Sequence, residues 1–297
     1  MNFVDISIFK PLDIWAARNV PLAAPDMILP GFRSGTVGAL VAPGGAGKSY
    51  LALEIAMAVA AAGVLKSGEE IFGFSPDPGK TKRVDYLSGE DDETVLRERV
   101  YRIAGHLNAR ADVLKAIDDN LSIRNLVGNT PDLTDEKSLE CVIKTCEGAR
   151  LVIIDTLSRF HAKDENSNSD MAGVVRNLEK IAKATHASLL FLHHSGKGAA
   201  TGGMGNRQQA ARGASALIDN ARWAAYVQPF SEVYDDEWVY SVPSVPVANL
   251  PDVVCFGVSK VNYGPREPIK FFRRDKYGVL HLEGHTRAPR RASRQVA

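Results

Sequence analysis

Ala42-Pro43-Gly44-Gly45-Ala46-Gly47-Lys48-Ser49 is the stretch that decides how this chain is read. It follows the apolar run Thr36-Val37-Gly38-Ala39-Leu40-Val41 and opens a helix-forming segment from Tyr50 to about Ala62. Strand, glycine-rich turn and helix start together make a phosphate-binding loop. Glycines let backbone N–H groups turn inward on a polyphosphate at a helix N-terminus, where the helix dipole also favours anions. The spacing G-x-x-x-x-G-K-[ST] assigns Lys48 to the β- and γ-phosphates and the Ser49 hydroxyl to Mg²⁺. Pro43, Gly44, Gly45, Ala46, Gly47 and Tyr50 complete the expected nucleotide contacts. One residue departs from the pattern: Ala42 stands where the first glycine is expected. Alanine keeps the turn provided that its φ is negative.

The composition is that of an ordinary globular protein. The 297 residues are 45% hydrophobic and 24% charged, with a net charge of only +1, so any contact with nucleic acid must be local. Arg287, Arg290, Arg291 and Arg294 cluster in the last residues, which read as a basic, solvated tail over 284–297. Cys141, Cys146 and Cys255 form no disulfide framework and have no metal-ligand spacing; reduced thiols are expected. The start lacks the layout of a secretory signal, and the apolar stretch Leu51–Leu65 is too short to span a bilayer, which predicts a cytoplasmic protein without a membrane partner.

Hydrophobic runs and amphipathic segments alternate along the chain. Val84–Ser88, Leu121–Arg124, Leu151–Asp155 and Ser188–Leu192 read as strands, and so do Ala221–Val227, Val253–Ser259, Ile269–Phe272 and Val279–Leu282. Helices are predicted from Asp91 or Asp92 through Leu107, over Asp135–Glu147 and over Met171–Thr185. This alternation predicts an α/β fold: a mostly parallel twisted sheet with helices on both faces. Pro11, Pro21, Pro25 and Pro30 make residues 1–35 an N-terminal arm, and 36–283 form one domain.

In a parallel sheet, ligands bind at the carboxyl ends of the strands. Three polar clusters fall at such ends: Glu90-Asp91-Asp92, Asp155-Thr156 and His193-His194. Asp155, after a run of aliphatics, fits a Mg²⁺-associated carboxylate, although strand-end aspartates also cap turns. Glu90, on the strand expected next to the loop strand, fits a base that orients attacking water. Acidic residues there also suit a helix N-terminus, and Asp91 or Asp92 can cap while Glu90 catalyses. His194 fits a reporter of the γ-phosphate or a structural strand-end histidine. The Gly-rich segment Gly196–Gln209 carries Lys197, Gly198 and Arg207. Such a chain can approach a sugar–phosphate backbone closely, and a loop of this length is usually functional or disordered. It holds no aromatic residue to stack on bases. Arg212 and Arg222 flank the short segment Gly213–Asn220, and either is a candidate for a cation acting on a neighbouring subunit's site; Lys260 is another.

With these residues in view, the chain resembles the RecA-fold ATPases, and most closely the RepA-type hexameric replicative helicases of bacterial plasmids, small relatives of the DnaB family. The likeness is carried by the loop Pro43–Ser49, Tyr86-Leu87-Ser88-Gly89-Glu90-Asp91, Asp155-Thr156-Leu157-Ser158-Arg159-Phe160-His161, Phe191-Leu192-His193-His194, Arg212-Gly213-Ala214-Ser215, Asp219-Asn220-Ala221-Arg222-Trp223 and Gly257–Gly264. The resemblance implies ATP and Mg²⁺ as cofactors, with Glu90 as catalytic carboxylate, Asp155 at the metal and His194 as γ-phosphate sensor. Arg222 becomes the finger reaching a neighbour's ATP, with Arg212 as the alternative. Lys260 matches a family lysine, while Asn262 stands where larger relatives carry an arginine. The loop after His194 would hold single-stranded DNA in the channel of a homo-oligomeric ring, a hexamer, translocating 5′ to 3′. Residues 1–35 are too few for a primase-recruiting domain and are expected to pack on the next subunit; plasmid primase and initiator proteins are further expected partners. A RecA-like regulatory ATPase that binds DNA or protein without unwinding is the rival reading. A P-loop kinase is a weaker one.

Overall fold

The computed structural model describes residues 10–77, 83–107, 110–195, 215–230 and 252–285. Eleven strands and seven α-helices lie in these residues. In chain order they are α1 (Ile14–Asn19), β1 (Met27–Leu29), β2 (Phe32–Arg33), β3 (Val37–Ala42), α2 (Lys48–Ala61), β4 (Val84–Ser88), α3 (Glu93–Gly105), α4 (Ala111–Asn120) and β5 (Leu121–Asn125). Then follow α5 (Glu136–Thr145), β6 (Leu151–Asp155), α6 (Asn168–Thr185), β7 (Ser188–His194), α7 (Ser215–Asn220), β8 (Trp223–Pro229), β9 (Val253–Val261), β10 (Lys270–Arg274) and β11 (Leu280–His285).

Nine strands make one sheet in the order β11-β10-β9-β8-β3-β7-β6-β4-β5. From β8 to β5 neighbouring strands are parallel, and β9, β10 and β11 extend the sheet as an antiparallel edge. Side-chain alternation along the strands sends Leu40, Tyr86, Ile153 and Leu192 to one core, and Ala39, Leu87, Ile154 and Phe191 to the other. The first core lies against α2, α3 and α4; the second lies against α5, α6 and α7. Helices therefore cover both faces, as the alternating pattern predicts.

Local chemistry accounts for the helix starts. Asp92, Asp135 and Ser167 each accept a backbone N–H of the first turn, from Val95, Ser138 and Asp170, at α3, α5 and α6. The central helix α2 is buried all round from Leu51 to Ala61, because the β10–β11 hairpin covers the side that α3 and α4 leave open. That burial includes Glu54, whose Oε1 accepts the Leu280 N–H at 3.1 Å.

Two features differ from the expected organisation. Helix α4 is an element that the sequence pattern does not announce. The C-terminal part of the proline-rich arm is also not peripheral: Ile28, Leu29 and Phe32 are buried, and the Phe32 ring stacks on Trp223 at 5.1 Å. Burying those side chains binds 27–33 to the domain, whereas Leu12, Ile14 and Trp15 stay exposed. Cys141 is exposed and Cys146 buried, as their five-residue spacing requires. No helix among the described residues is long and apolar enough to cross a membrane.

Candidate active site

β3 lies between β7 and β8 and ends at Ala42, which pairs with His194 and accepts the Ser195 N–H through its carbonyl at 3.0 Å. Ala42 is therefore still strand, without positive φ, and the missing glycine costs the turn nothing. The positive φ values fall on Gly45 (75°) and Gly47 (93°), where an L side chain would be strained. A Cβ built on Gly44 or Gly45 meets nothing within 4 Å, so the space above the loop is open. Helix α2 begins at Lys48 with no side chain capping its first N–H groups, which leaves those donors for an anion.

The loop borders a cleft of about 320 Å³ lined by Pro43, Gly45, Gly47, Lys48, Ser49 and Tyr50 on one side. Glu90, Asp91, Arg99, His194, Arg274 and Gly278 form the rest of its wall. A larger cavity of about 460 Å³ beside Leu65 and Ser75 has no such set of phosphate-binding groups. The donors around the loop suit a nucleotide triphosphate with its magnesium. Lys48 and the open helix N-terminus would take the phosphates, and the Ser49 hydroxyl with Asp155 would take the cation.

Behind the loop, Lys48 Nζ lies 3.2 Å from Asp155 Oδ1, both side chains being almost fully buried. Asp155 Oδ2 accepts the Tyr86 hydroxyl at 2.5 Å. Burial, reinforced by the Asp155 charge, pushes the Tyr86 phenol well above its usual range, so it remains a donor. Sequence reasoning passes over Tyr86 as a strand residue. The signal available is period two: Tyr86 and Ile153 share one face, which turns the phenol towards α2.

Glu90 follows β4 and is about a quarter exposed at its side chain. Its Oε1 lies 3.6 Å from His194 Nε2, accepts the Thr156 hydroxyl at 2.6 Å, and lies 3.8 Å from Arg159 Nε. His194 foremost, then Thr156 and Lys48, hold the Glu90 carboxyl down to about 2 against the desolvation of partial burial. It is thus ionised and ready to orient and accept a proton. Asp91 is bound instead by Arg99 through two guanidinium nitrogens, and Asp92 caps α3. The three acidic residues therefore have three different tasks.

The expectation that Glu90 sits on the strand next to β3 is not met: β7 and β6 stand between β3 and β4. Glu90 still reaches the cleft because the chain turns sharply beyond β4. Gly89 donates to the Asp155 carbonyl at 2.6 Å, and its missing side chain lets it pass Arg159, whose Cβ would lie 2.8 Å from a Cβ at position 89. His193 points away from the cleft into a buried environment that lowers its pKa, while His194 faces the cleft.

Arg222 and Lys260 lie elsewhere. Arg222 is exposed just before β8; its N–H donates to the Val37 carbonyl at the start of β3. About 17 Å of strand therefore separates it from the loop. Lys260 Nζ donates to the Ile218 and Asp219 carbonyls at the end of α7, at 3.2 and 2.7 Å. Neither enters the chain's own cleft. Two arginines that sequence reasoning does not select, Arg99 and Arg274, do line it. Arg212, Lys197, Gly198, Arg207 and the basic tail lie outside the described residues.

The phosphate-binding loop at the tip of β3, the buried acid on β6 and the sheet order define the chain as a P-loop nucleotide-binding protein. A family model described as "AAA domain" matches residues 7–200, so the chain belongs to the AAA domain family. Among solved structures it is similar to one described as an isolated "ATPase Domain", with 16% identity, 84% of this chain and 86% of that one covered, and a TM-score of 0.52. It is also similar to a DnaB-like replicative helicase whose structure was described together with its interactions with primase, at 16% identity and a TM-score of 0.54. There the match covers 84% of this chain and 57% of the helicase, so this chain spans little more than half of that protein's length. The fold is therefore the RecA-like one, with its mostly parallel sheet.

Proposed function

We propose that this chain is an ATP-hydrolysing motor subunit, a ring-forming DNA helicase of the plasmid replicative type. One observation carries the reading. Lys48, Asp155, Glu90 and His194 converge on one cleft, while the exposed Arg222 stands at the opposite end of the same sheet. A cleft with water-orienting and sensing groups but a remote arginine suits a site completed by the next subunit of a ring.

In this reading the α2 N-terminus and Lys48 hold the β- and γ-phosphates. Magnesium, when bound at Ser49 and Asp155, would neutralise charge developing on the phosphate oxygens. Glu90 orients a water in line with the γ-phosphate and takes its proton. Thr156 fixes the carboxylate through one oxygen, leaving the other free for that water. His194, within reach of both Glu90 and the cleft, couples the state of the γ-phosphate to the segment that follows it. That segment, with Lys197, Gly198 and Arg207, is the proposed contact to single-stranded DNA. The similar helicase structures support this reading at the level of fold.

The test is strand displacement. The full chain with ATP and Mg²⁺ is expected to unwind a forked duplex as a six-fold ring, and Lys48→Ala to abolish both unwinding and DNA-stimulated ATP hydrolysis. An assembled ring that hydrolyses ATP on single strands yet displaces none would overturn the helicase reading in favour of a regulatory ATPase. An Arg222→Ala protein is expected to bind ATP normally and hydrolyse it poorly, with activity partly restored by mixing it with Glu90→Gln subunits.

A further inference from the structure

Beside the nucleotide cleft, two histidines and an aspartate from three separate places in the chain meet. His106 is the C-cap of α3, Asp275 opens the turn between β10 and β11, and His281 lies on β11. One ring nitrogen of each histidine and one carboxylate oxygen lie within 4.8 Å of one another. Asp275 Oδ2 is 3.3 Å from His281 Nε2 and 3.8 Å from His106 Nε2. The two imidazole rings stand edge to face, with centroids 4.4 Å apart. We propose that His106, Asp275 and His281 form a binding site for one divalent transition-metal cation of the zinc class, separate from the magnesium of the nucleotide.

The geometry suits that chemistry. Ligands about 2.0–2.1 Å from a tetrahedral zinc lie about 3.3 Å from one another. The His281–Asp275 separation already has that value, and the half-exposed His106 ring needs to close by about half an ångström. The carboxylate is oriented for the task. Its Oδ1 accepts the Tyr277 and Val279 N–H groups at 2.8 and 3.0 Å, which fixes the turn and directs Oδ2 at the histidines. Outer hydrogen bonds of this kind position metal ligands. His106 also sits at the negative end of the α3 dipole, which favours a cation. Arg102, the nearest competing cation on α3, lays its guanidinium over the Tyr277 ring, 3.9 Å from the centroid. Three protein ligands leave a fourth position open to water.

The location gives such an ion a structural consequence. Helix α3 begins directly after Glu90 and Asp91, and the β10–β11 turn carries Arg274 and Gly278. A cation held by His106, Asp275 and His281 would tie together these two walls of the cleft, on either side of Tyr50, whose hydroxyl already donates to the Tyr277 carbonyl at 2.7 Å.

The test is a titration of the metal-stripped full chain, without nucleotide, with Co²⁺ followed by Zn²⁺. One equivalent of Co²⁺ is expected to give the visible absorption of a tetrahedral site, bleached by Zn²⁺. His106→Ala and His281→Gln are expected to weaken Zn²⁺ binding about 100-fold, and Asp275→Asn, which can keep the turn's Oδ1 contacts, at least about 10-fold. His186→Asn, an exposed control, and Asp155→Asn, in the nucleotide site, should both retain the band. Circular dichroism checks that each variant is folded, and Zn²⁺ should raise the melting midpoint of the wild type but not of His281→Gln. The proposal is overturned if no tetrahedral band forms, if His281→Gln binds Zn²⁺ like the wild type, or if Asp155→Asn removes the band.

Discussion

Replacing Tyr86 by phenylalanine removes one oxygen atom from the centre of the site and little else. The ring is fully buried between α2 and the sheet, so the isosteric change leaves almost no cavity. What is lost is the 2.5 Å donor to Asp155 Oδ2. A hydrogen bond to a charged acceptor contributes about 1.5–3 kcal/mol, and an unpaired buried charge pulls the cost towards the upper figure. Lys48, still 3.2 Å from the other oxygen, pulls it down, so a loss of about 2 kcal/mol is expected. That corresponds to a drop of about 4–8 °C in the melting midpoint. Because the phenol's pKa is raised above 10.0, the bond is intact throughout pH 6.5–8.5 and the loss should be equal at both ends of that range. Thermal unfolding of Tyr86→Phe, Asp155→Asn and the double variant, all without nucleotide, isolates the pair. In the Asp155→Asn background, Tyr86→Phe should cost less than about 1 kcal/mol. Equal losses in both backgrounds would refute the claim that the phenol acts through Asp155.

Other outcomes follow from the same geometry. Glu90→Gln should bind ATP with near-normal affinity, measured with a fluorescent analogue, while single-turnover hydrolysis falls about 10²–10⁴-fold; an unchanged rate would exclude Glu90 as the base. The Glu90 carboxyl titrates near 2 in the folded chain and near 4.5 unfolded, so its stabilisation is present above 4.5 and is lost as pH falls towards 2. Partial exposure limits it to about 1–2 kcal/mol, and urea titrations at pH 5 and 3 should show this loss in the wild type and not in Glu90→Gln. Glu54 behaves oppositely. Burial raises its pKa well above 4.5, so the folded state loses stability as pH rises from there, and Glu54→Gln should gain on the wild type by about 1 kcal/mol between pH 5 and 8. A wild-type difference that stays constant with pH would mean that Glu54 is not protonated in the fold.

Most of the fold is legible in the sequence because it depends on local alternation. The apolar runs that form β3, β4, β6 and β7 are buried on both faces, and such runs show in sequence without any partner. The loop residues Pro43 to Ser49 are equally legible, since a phosphate cradle needs glycine conformations and one lysine at fixed spacing. Helix α4 and the burial of Phe32 are not. The first lies among weakly patterned residues, and the second depends on Trp223, far away in the chain. The candidate site divides the same way. Glu90, Asp155 and His194 stand out because they end strands, whereas Tyr86, Thr156, Arg99 and Arg274 do not, because each acquires its meaning from a residue remote in sequence.

Residue type and short spacing were enough to specify the nucleotide loop, the α/β alternation and the acids at the strand ends. Which of those groups meet was settled in three dimensions. Strand order put two strands between Glu90 and the loop strand, and the Gly89 turn brought the carboxylate back to His194 and Thr156. Packing also set Arg222 at the far end of the sheet and gathered His106, Asp275 and His281 beside the cleft. Strand pairing and side-chain packing act between residues a hundred or more positions apart, where spacing along the chain carries no information.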